Sequence, residues 1–131
     1  MGSFFSSLFD PAAGATAPEE GDSNVVAIHS KESWNGHWAA HKDSNKLLVV
    51  DFSAKWCGPC RLIEPAFRAL AARFTDVSFV KIDVDELSAV AQEWKVQAMP
   101  TFVLMKAGRE VSRVVGADQA QLERKIQQLR P

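Results

Sequence analysis

The feature that most constrains the fold is the run KLLVVDFSA at residues 46–54, which is almost continuously apolar and rich in β-branched side chains. A strand with one solvated face alternates apolar and polar residues, whereas a continuous apolar run is typical of a strand covered on both faces. The next segment, GPCRLIEPAFRALAARF at 58–74, repeats its apolar residues at helical spacing. This pair of segments predicts a central strand that leads directly into a helix packed on the sheet.

The other segments continue the alternation of strands and helices. Further strands are predicted at 25–29, 77–84, 101–105 and 110–115, and further helices at 31–43, after Asp85, and at 118–130. Ser30 and Asp85 are the expected N-caps of two of these helices. The order of these nine segments, βαβαβαββα, requires a right-handed parallel crossover and an antiparallel hairpin. We therefore expect an α/β fold, with a central mixed β-sheet flanked by helices on both faces.

Apolar residues at helical spacing are the residues that the helices are predicted to bury in the core. Each such set marks the face of a helix that packs against the sheet. The expected inward residues are Trp34 and Trp38; Leu62, Ile63, Ala66, Phe67, Leu70 and Phe74; Leu87, Val90, Ala91 and Trp94; and Leu122, Ile126 and Leu129.

The N-terminal part of the chain has a different composition. Residues 10–24 hold no large apolar side chain, so they cannot bury enough surface to offset the entropy lost on ordering. A chain of 131 residues supports one compact domain. We predict a flexible N-terminal extension over residues 1–24 and one folded domain over 25–131.

The opening sequence MGSFFS has the pattern of an N-myristoylation signal, because Gly2 follows a removable Met1 and Ser6 occupies the place where the signal has Ser or Thr. The alternative is an unmodified tail that carries phenylalanines. The first thirty residues contain no Lys or Arg, so we expect neither a secretory signal nor an Arg-rich transit peptide.

Composition also bounds compartment and partners. The chain holds two cysteines and no Asn-x-Ser/Thr acceptor, which suits a reducing compartment. Its formal net charge is −1 and it has no basic run, so nothing in its electrostatics favours binding to nucleic acid.

Cys57 and Cys60 are the two cysteines, and their spacing favours reversible redox chemistry over a structural role. Closing a loop of four residues stabilises a fold by only about 2 kcal/mol. Cysteines three positions apart in a first helical turn do lie close enough for a disulfide. The positive end of the helix favours a thiolate at Cys57, so we predict Cys57 as the nucleophile and Cys60 as the resolving thiol. Gly58 permits close approach, and Pro59 suits a first helical turn.

Asp51 is an anomaly within the apolar strand that precedes the cysteines. Desolvation should raise the pKa of its carboxyl group, leaving it partly neutral near pH 7 and able to exchange a proton with Cys60. The alternative is a solvent-facing carboxylate on an edge strand.

Three further residue groups have more than one interpretation. His37 and His41 could join the cysteines in a zinc site, but zinc-finger order and spacing are absent. Trp56 is either a core residue or an exposed contact for protein substrates. Pro100 either opens a strand or follows a cis peptide bond.

Four sequence blocks, WCGPC, KIDVDE, MPTFVLMKAG and VVGA, together resemble the thioredoxin family over residues 25–131. The resemblance implies a thioredoxin fold and a thiol-disulfide oxidoreductase that reduces target proteins. It implies that Lys81 is a charged neighbour of Asp51 and that Trp56 flanks the site. It also implies a cis-proline at Pro100, with Met99 offering its backbone to an extended substrate, and a groove completed by Val115, Gly116 and Ala117.

Within this family, the short Met-Gly extension, the block NKLLVVDFSAKWCGPCR and the block AMPTFV resemble the plant h-type members, in particular those that carry an N-myristoylated glycine. That likeness implies a cytoplasmic, mainly monomeric protein that associates with membranes through Gly2. It implies no bound cofactor and re-reduction by an NADPH-dependent thioredoxin reductase. The alternatives are a disulfide oxidase or isomerase and a non-catalytic module recruited to a membrane. Lys55 departs from the small or neutral residue that many relatives have there.

Overall fold

The computed structural model describes residues 24–131, so Gly2 and nearly all of the predicted extension lie outside the described residues. Nine elements follow one another in the predicted order, with bounds close to the predicted ones for all but the third helix. They are β1 (Val25–Ile28), α1 (Lys31–His41), β2 (Leu48–Ser53), α2 (Gly58–Arg73), β3 (Ser78–Asp83), α3 (Ser88–Glu93), β4 (Thr101–Lys106), β5 (Arg109–Val115) and α4 (Gln119–Leu129).

The five strands form one mixed sheet in the order β1-β3-β2-β4-β5. The β1–β3 and β3–β2 pairs are parallel, and the β2–β4 and β4–β5 pairs are antiparallel. All six residues of β2 are buried at the middle of the sheet. The prediction of an α/β fold built around this strand is confirmed.

Two core clusters lie on opposite faces of the sheet, because successive side chains of a strand point to opposite sides. On one face Val49 and Phe79 pack with α2 and α4 residues such as Phe67 and Ile126. On the other face the cluster includes Leu48, Val50, Val80, Trp34 and Val90. Helices therefore cover both faces, as predicted.

Trp34, Trp38 and Trp94 form an aromatic group beside the second cluster. Their ring centroids are 6.5 Å apart for Trp34 and Trp38, 6.3 Å for Trp34 and Trp94, and 5.8 Å for Trp38 and Trp94. Trp34 is fully buried, and the other two rings are half-buried against the cluster. The predicted inward placement of these rings is confirmed.

Two local predictions are wrong. Leu62 does not face the core, since α2 packs through Ile63 and Phe67 and leaves the Leu62 side chain 82% exposed. Asp85 does not cap α3, because the helix begins at Ser88 with Leu87 in the cap position and no side-chain hydrogen bond there. Ser30 is confirmed as a cap, since its hydroxyl accepts the Ser33 N–H.

No helix within residues 24–131 is long and apolar enough to cross a membrane.

Candidate active site

The two cysteines lie where the central strand passes into α2. Cys57 is the N-cap residue of this helix, and Cys60 lies in its first turn. They are joined by a disulfide, with their Cα atoms 5.3 Å apart. That separation lies within the range a disulfide accepts, so the bond closes inside one helical turn.

The surroundings of the two sulfur atoms differ. The Cys60 backbone N–H donates to Cys57 Sγ at 3.2 Å, whereas Cys60 Sγ has no such donor within the described chain. Exposure does not distinguish the residues, since Cys57 is 5% and Cys60 6% exposed. An amide donor and the positive end of a helix both stabilise negative charge on sulfur. The geometry therefore favours a thiolate at Cys57 once the disulfide is reduced.

Met99 and Pro100 lie against the cysteine pair. The peptide bond between them is cis. The Met99 carbonyl oxygen is 3.6 Å from Cys57 Sγ, which is a close contact in the disulfide and a hydrogen-bond acceptor for a Cys57 thiol. The Pro100 carbonyl accepts the Gly116 N–H at 2.8 Å. The predicted cis bond at Pro100 is therefore present beside the sulfur atoms.

Gly116 continues this surface toward the end of β5. Its φ of +98° lies in a region that side-chain-bearing residues rarely adopt. Val115 before it is 58% exposed, and Ala117 after it is also exposed. The structure thus brings Met99, Pro100 and the segment 115–117 together, as the family resemblance implied.

Trp56 lies at the surface beside Cys57. Its side chain is 65% exposed, which excludes the alternative of a core residue. The indole Nε1–H donates to Asp85 Oδ2 at 2.8 Å, and Asp83 Oδ1 accepts the Asp85 N–H. The Asp85 carboxylate therefore orients the exposed ring instead of capping α3. Lys55 is exposed next to it, and its carbonyl accepts a hydrogen bond from Arg61.

Asp51 lies within the central strand and is only 4% exposed, so the alternative of an edge-strand carboxylate is excluded. Its Oδ1 has no hydrogen-bond partner within residues 24–131. Burial raises the pKa of Asp51 to about 7; the positive charge of Lys81 opposes this rise, and the negative charge of Glu64 adds to it. Lys81 is the register partner of Asp51 on β3, which confirms the predicted neighbour.

A cavity of about 320 Å³ connects these groups, and its lining includes Asp51, Cys60, Glu64 and Lys81. Sequence reasoning did not select Glu64, although one signal was available. Glu64 follows Cys60 by four residues, so the two side chains share one face of α2. The tertiary partner, Lys81, could not be read from that spacing.

The predicted zinc alternative finds no support in the geometry. His41 Nδ1 donates to the His37 carbonyl at 2.9 Å, and His41 Nε2 lies 3.0 Å from Ser78 Oγ. With Nδ1 carrying the proton, Nε2 accepts from the serine hydroxyl. Over residues 24–131, no group of three or more His, Cys, Asp or Glu side chains is arranged to hold a metal ion.

Comparison with known proteins decides the family. The family model described as thioredoxin matches residues 25–128, which include every element of the fold except the last residue of α4. The chain belongs to the thioredoxin family. Together with the Cys57–Cys60 pair, this membership identifies it as a thiol-disulfide oxidoreductase that reduces protein disulfides.

Plant h-type thioredoxins are among its relatives. Thioredoxin H2-2 of Oryza sativa subsp. japonica is 63% identical over 96% of this chain and 93% of the rice protein. Thioredoxin H2 of Arabidopsis thaliana is 53% identical over 99% of each chain. The crystal structure of thioredoxin NaTrxh from Nicotiana alata matches with a TM-score of 0.83 and 55% identity, over 91% of this chain and 100% of that one. Thioredoxins hold no bound cofactor and generally work with a thioredoxin reductase and disulfide-containing targets.

Proposed function

We propose that Cys57 is the attacking thiolate and Cys60 the resolving thiol in the reduction of target disulfides. The Cys57 thiolate attacks one sulfur of the target, the target S–S bond breaks, and one target thiolate leaves. Cys60 then attacks Cys57 Sγ and expels the second target thiolate. Two electrons pass to the target, and Cys57 and Cys60 end in a disulfide. The observation that carries this assignment is the Cys60 N–H donated to Cys57 Sγ.

Asp51 is the proton acceptor for the second step. The Cys60 thiol must lose its proton before it can attack, and Asp51 lines the same cavity as Cys60. A carboxyl group with a pKa of about 7 is partly ionised at neutral pH and can both accept and return a proton. Lys81 acts through its charge on Asp51.

The target polypeptide lies in an extended conformation along Met99, Pro100 and the segment 115–117. A surface with a cis-proline beside the sulfur atoms suits a strand-like substrate that bonds to the Met99 backbone. Exposed apolar side chains at Trp56 and Val115 supply contact area on two sides. Gly58 and Pro59 keep the approach open, since a Cβ built on Gly58 would have no atom within 4 Å other than those of its chain neighbours and the α2 backbone. Lys55 sets a preference for the charge of the target.

The electron donor is an NADPH-dependent thioredoxin reductase, and the chain acts mainly as a monomer in the cytoplasm. Residues 1–24 form an extension to the domain at 25–131, and Gly2 carries a myristoyl group that gives reversible membrane association. The support is the MGSFFS sequence. A Gly2→Ala variant should lose membrane association in cell fractionation, and an identical distribution of the two proteins would exclude the lipid anchor.

Insulin reduction tests the chemistry. With NADPH and a thioredoxin reductase, the wild type should turn over insulin and Cys57→Ser should not. A parallel reaction uses dithiothreitol as the reductant in place of NADPH and the reductase. Insulin turnover with dithiothreitol but not with the reductase would exclude only the proposed electron donor and would leave the disulfide reduction by Cys57 and Cys60 standing. No turnover in either reaction would contradict the proposed function.

Two alternative functions are compatible with the same fold, and separate measurements test them. A redox potential as oxidising as that of a periplasmic oxidase would favour a disulfide oxidase. Full biological function in a Cys57→Ser, Cys60→Ser double variant would favour a non-catalytic interaction module.

A further inference from the structure

Glu64 lies inside the cavity that holds Asp51 and has no role in the exchange steps described above. We propose that Glu64 is a positioning residue for Asp51: it holds the Lys81 ammonium in an ion pair and so leaves the Asp51 carboxyl group without a direct cationic partner. The inference rests on the proposed role of Asp51 as proton acceptor and adds the group that controls its charge environment.

The fold places three elements around one point. Asp51 on β2 and Lys81 on β3 are register partners in a parallel pair. Both belong to the sheet face that packs on α2, because Val49 and Phe79, two residues earlier on each strand, lie in the core cluster of that helix. Glu64 stands on α2 one turn after Cys60. Its carboxylate therefore enters the cavity from the helix that carries the resolving thiol.

The Lys81 ammonium is committed to Glu64. Lys81 Nζ donates to Glu64 Oε2 at 2.9 Å, and Arg68 Nη2 donates to the same oxygen at 2.9 Å. Asp51 forms no ion pair with Lys81, and its Oδ1 has no partner within the described chain. A lysine next to a buried aspartate would ordinarily pair with it, so the bond to Glu64 diverts the cation.

The cationic neighbours of Glu64 determine its protonation state. Partial burial alone would raise the pKa of Glu64, but the hydrogen bonds and charges of Lys81 and Arg68 outweigh burial and lower it. Glu64 is therefore ionised at neutral pH, and its negative charge contributes to the raised pKa of Asp51. An ionised Glu64 acts on Asp51 in two ways, by direct repulsion and by holding Lys81.

Five other charged or titratable side chains line the same cavity. Asp83 lines it from β3, and it is half-buried. Four exposed residues complete the charged lining: His29, Lys55, Arg61 and Glu86. His29 Nδ1 lies 3.0 Å from Glu86 Oε1, so these two side chains pair with each other. Each of the four is solvated and screened. The charges that act on Asp51 are those of Lys81 and Glu64, and Asp83 is not among them.

The deciding variant is Glu64→Gln, which keeps the shape of the side chain and removes its charge. With Lys81 released and the repulsion gone, the titration midpoint of the Asp51 carboxyl carbon, followed by NMR in the oxidised protein, should fall by about one pH unit. Glu64→Ala, which also removes the acceptor atoms, should lower the midpoint at least as far. Lys81→Gln should raise it, because the cation is lost altogether.

Glu123→Gln is the matched control. Glu123 is also a helix carboxylate in an ion pair, with Arg73, and its side chain is 31% exposed against 30% for Glu64. This variant should leave the Asp51 midpoint unchanged. If the role of Glu64 were purely structural, Glu64→Gln and Glu123→Gln would both change the thermal stability, and neither would change the titration midpoint of Asp51. An unchanged midpoint in folded Glu64→Gln and Glu64→Ala would overturn the inference.

Insulin reduction separates this inference from the function on which it rests. The pH profile of the reduction rate should lie at lower pH for Glu64→Gln than for the wild type, in the same direction as the shift of the Asp51 midpoint. If the wild type reduces insulin and the midpoint does not move, only the role of Glu64 fails. If the wild type reduces nothing, the proposed function fails, and the NMR titration still decides whether Glu64 controls Asp51.

Discussion

Replacing Asp51 by asparagine should change the stability of the oxidised protein in a way that depends on pH. The carboxyl group is almost fully buried in the central strand, and burial raises its pKa from 3.8 to about 7. Asparagine has nearly the same shape and does not ionise. The comparison therefore isolates the free-energy cost of a buried negative charge.

The magnitude follows from linkage between protonation and folding. Between pH 4 and pH 7 the unfolded chain releases the Asp51 proton while the folded chain keeps it, so wild-type stability falls as pH rises and levels off above pH 7. The folded and unfolded pKa values differ by about 3 units, and each unit corresponds to about 1.4 kcal/mol. The stability of Asp51→Asn relative to the wild type should therefore rise by about 4 kcal/mol between pH 4 and pH 8.

Urea denaturation at the two pH values measures this difference, with both proteins kept oxidised so that no thiol titrates. The same substitution at an exposed position, Asp43→Asn, is the control and should leave stability within about 0.5 kcal/mol of wild type at both pH values. An effect of Asp51→Asn that is the same at pH 4 and pH 8 would refute the argument that burial controls this carboxyl group.

Further predictions concern packing, backbone and docking. Phe67→Ala should lower the free energy of unfolding by about 3–5 kcal/mol and Leu62→Ala by less than about 0.5, measured by urea denaturation, because only Phe67 is buried; equal losses would place Leu62 in the core. Gly36→Ala should stabilise α1 by about 1 kcal/mol. Gly108→Ala should destabilise, since its φ is +77° and its Cβ would lie 3.1 Å from the Lys42 carbonyl oxygen; thermal melts showing the reverse order would contradict this account. Trp56→Ala should raise KM for insulin several-fold and leave the rate at which dithiothreitol reduces the Cys57–Cys60 disulfide unchanged. A change in that rate would mean that the ring affects the reactivity of the disulfide itself.

Much of the fold could be predicted because the strongest signals are local. A continuous apolar strand indicates a covered central position, and Asp51 is conspicuous there because it is the only charged residue between Leu47 and Ala54. The geometry of the cysteine pair could be predicted from its spacing, since the first turn of a helix fixes the distance between Cys57 and Cys60. The pattern of the sequence was therefore enough to connect Cys57, Cys60 and Asp51.

The errors and omissions have tertiary causes. Leu62 and Ile63 are equally apolar, but consecutive helical residues lie about 100° apart, and only the position of the sheet decides which one is covered. Asp85 is a good capping residue whose carboxylate is used by the Trp56 indole, a partner 29 positions away. Glu64 gains its importance from Lys81, 17 positions along the chain. Such pairings arise only when separate elements meet.

The central claim is that Cys57 attacks and Cys60 resolves, and trapping of the mixed disulfide tests it most directly. Reduced Cys60→Ser and reduced Cys57→Ser are each mixed with a disulfide-containing target, quenched with acid, and analysed by peptide mass spectrometry. Cys60→Ser should accumulate the target bound to Cys57, since nothing remains to expel it, and Cys57→Ser should form little adduct. A target bound mainly to Cys60 of the Cys57→Ser variant, with no adduct on Cys57, would contradict the claim.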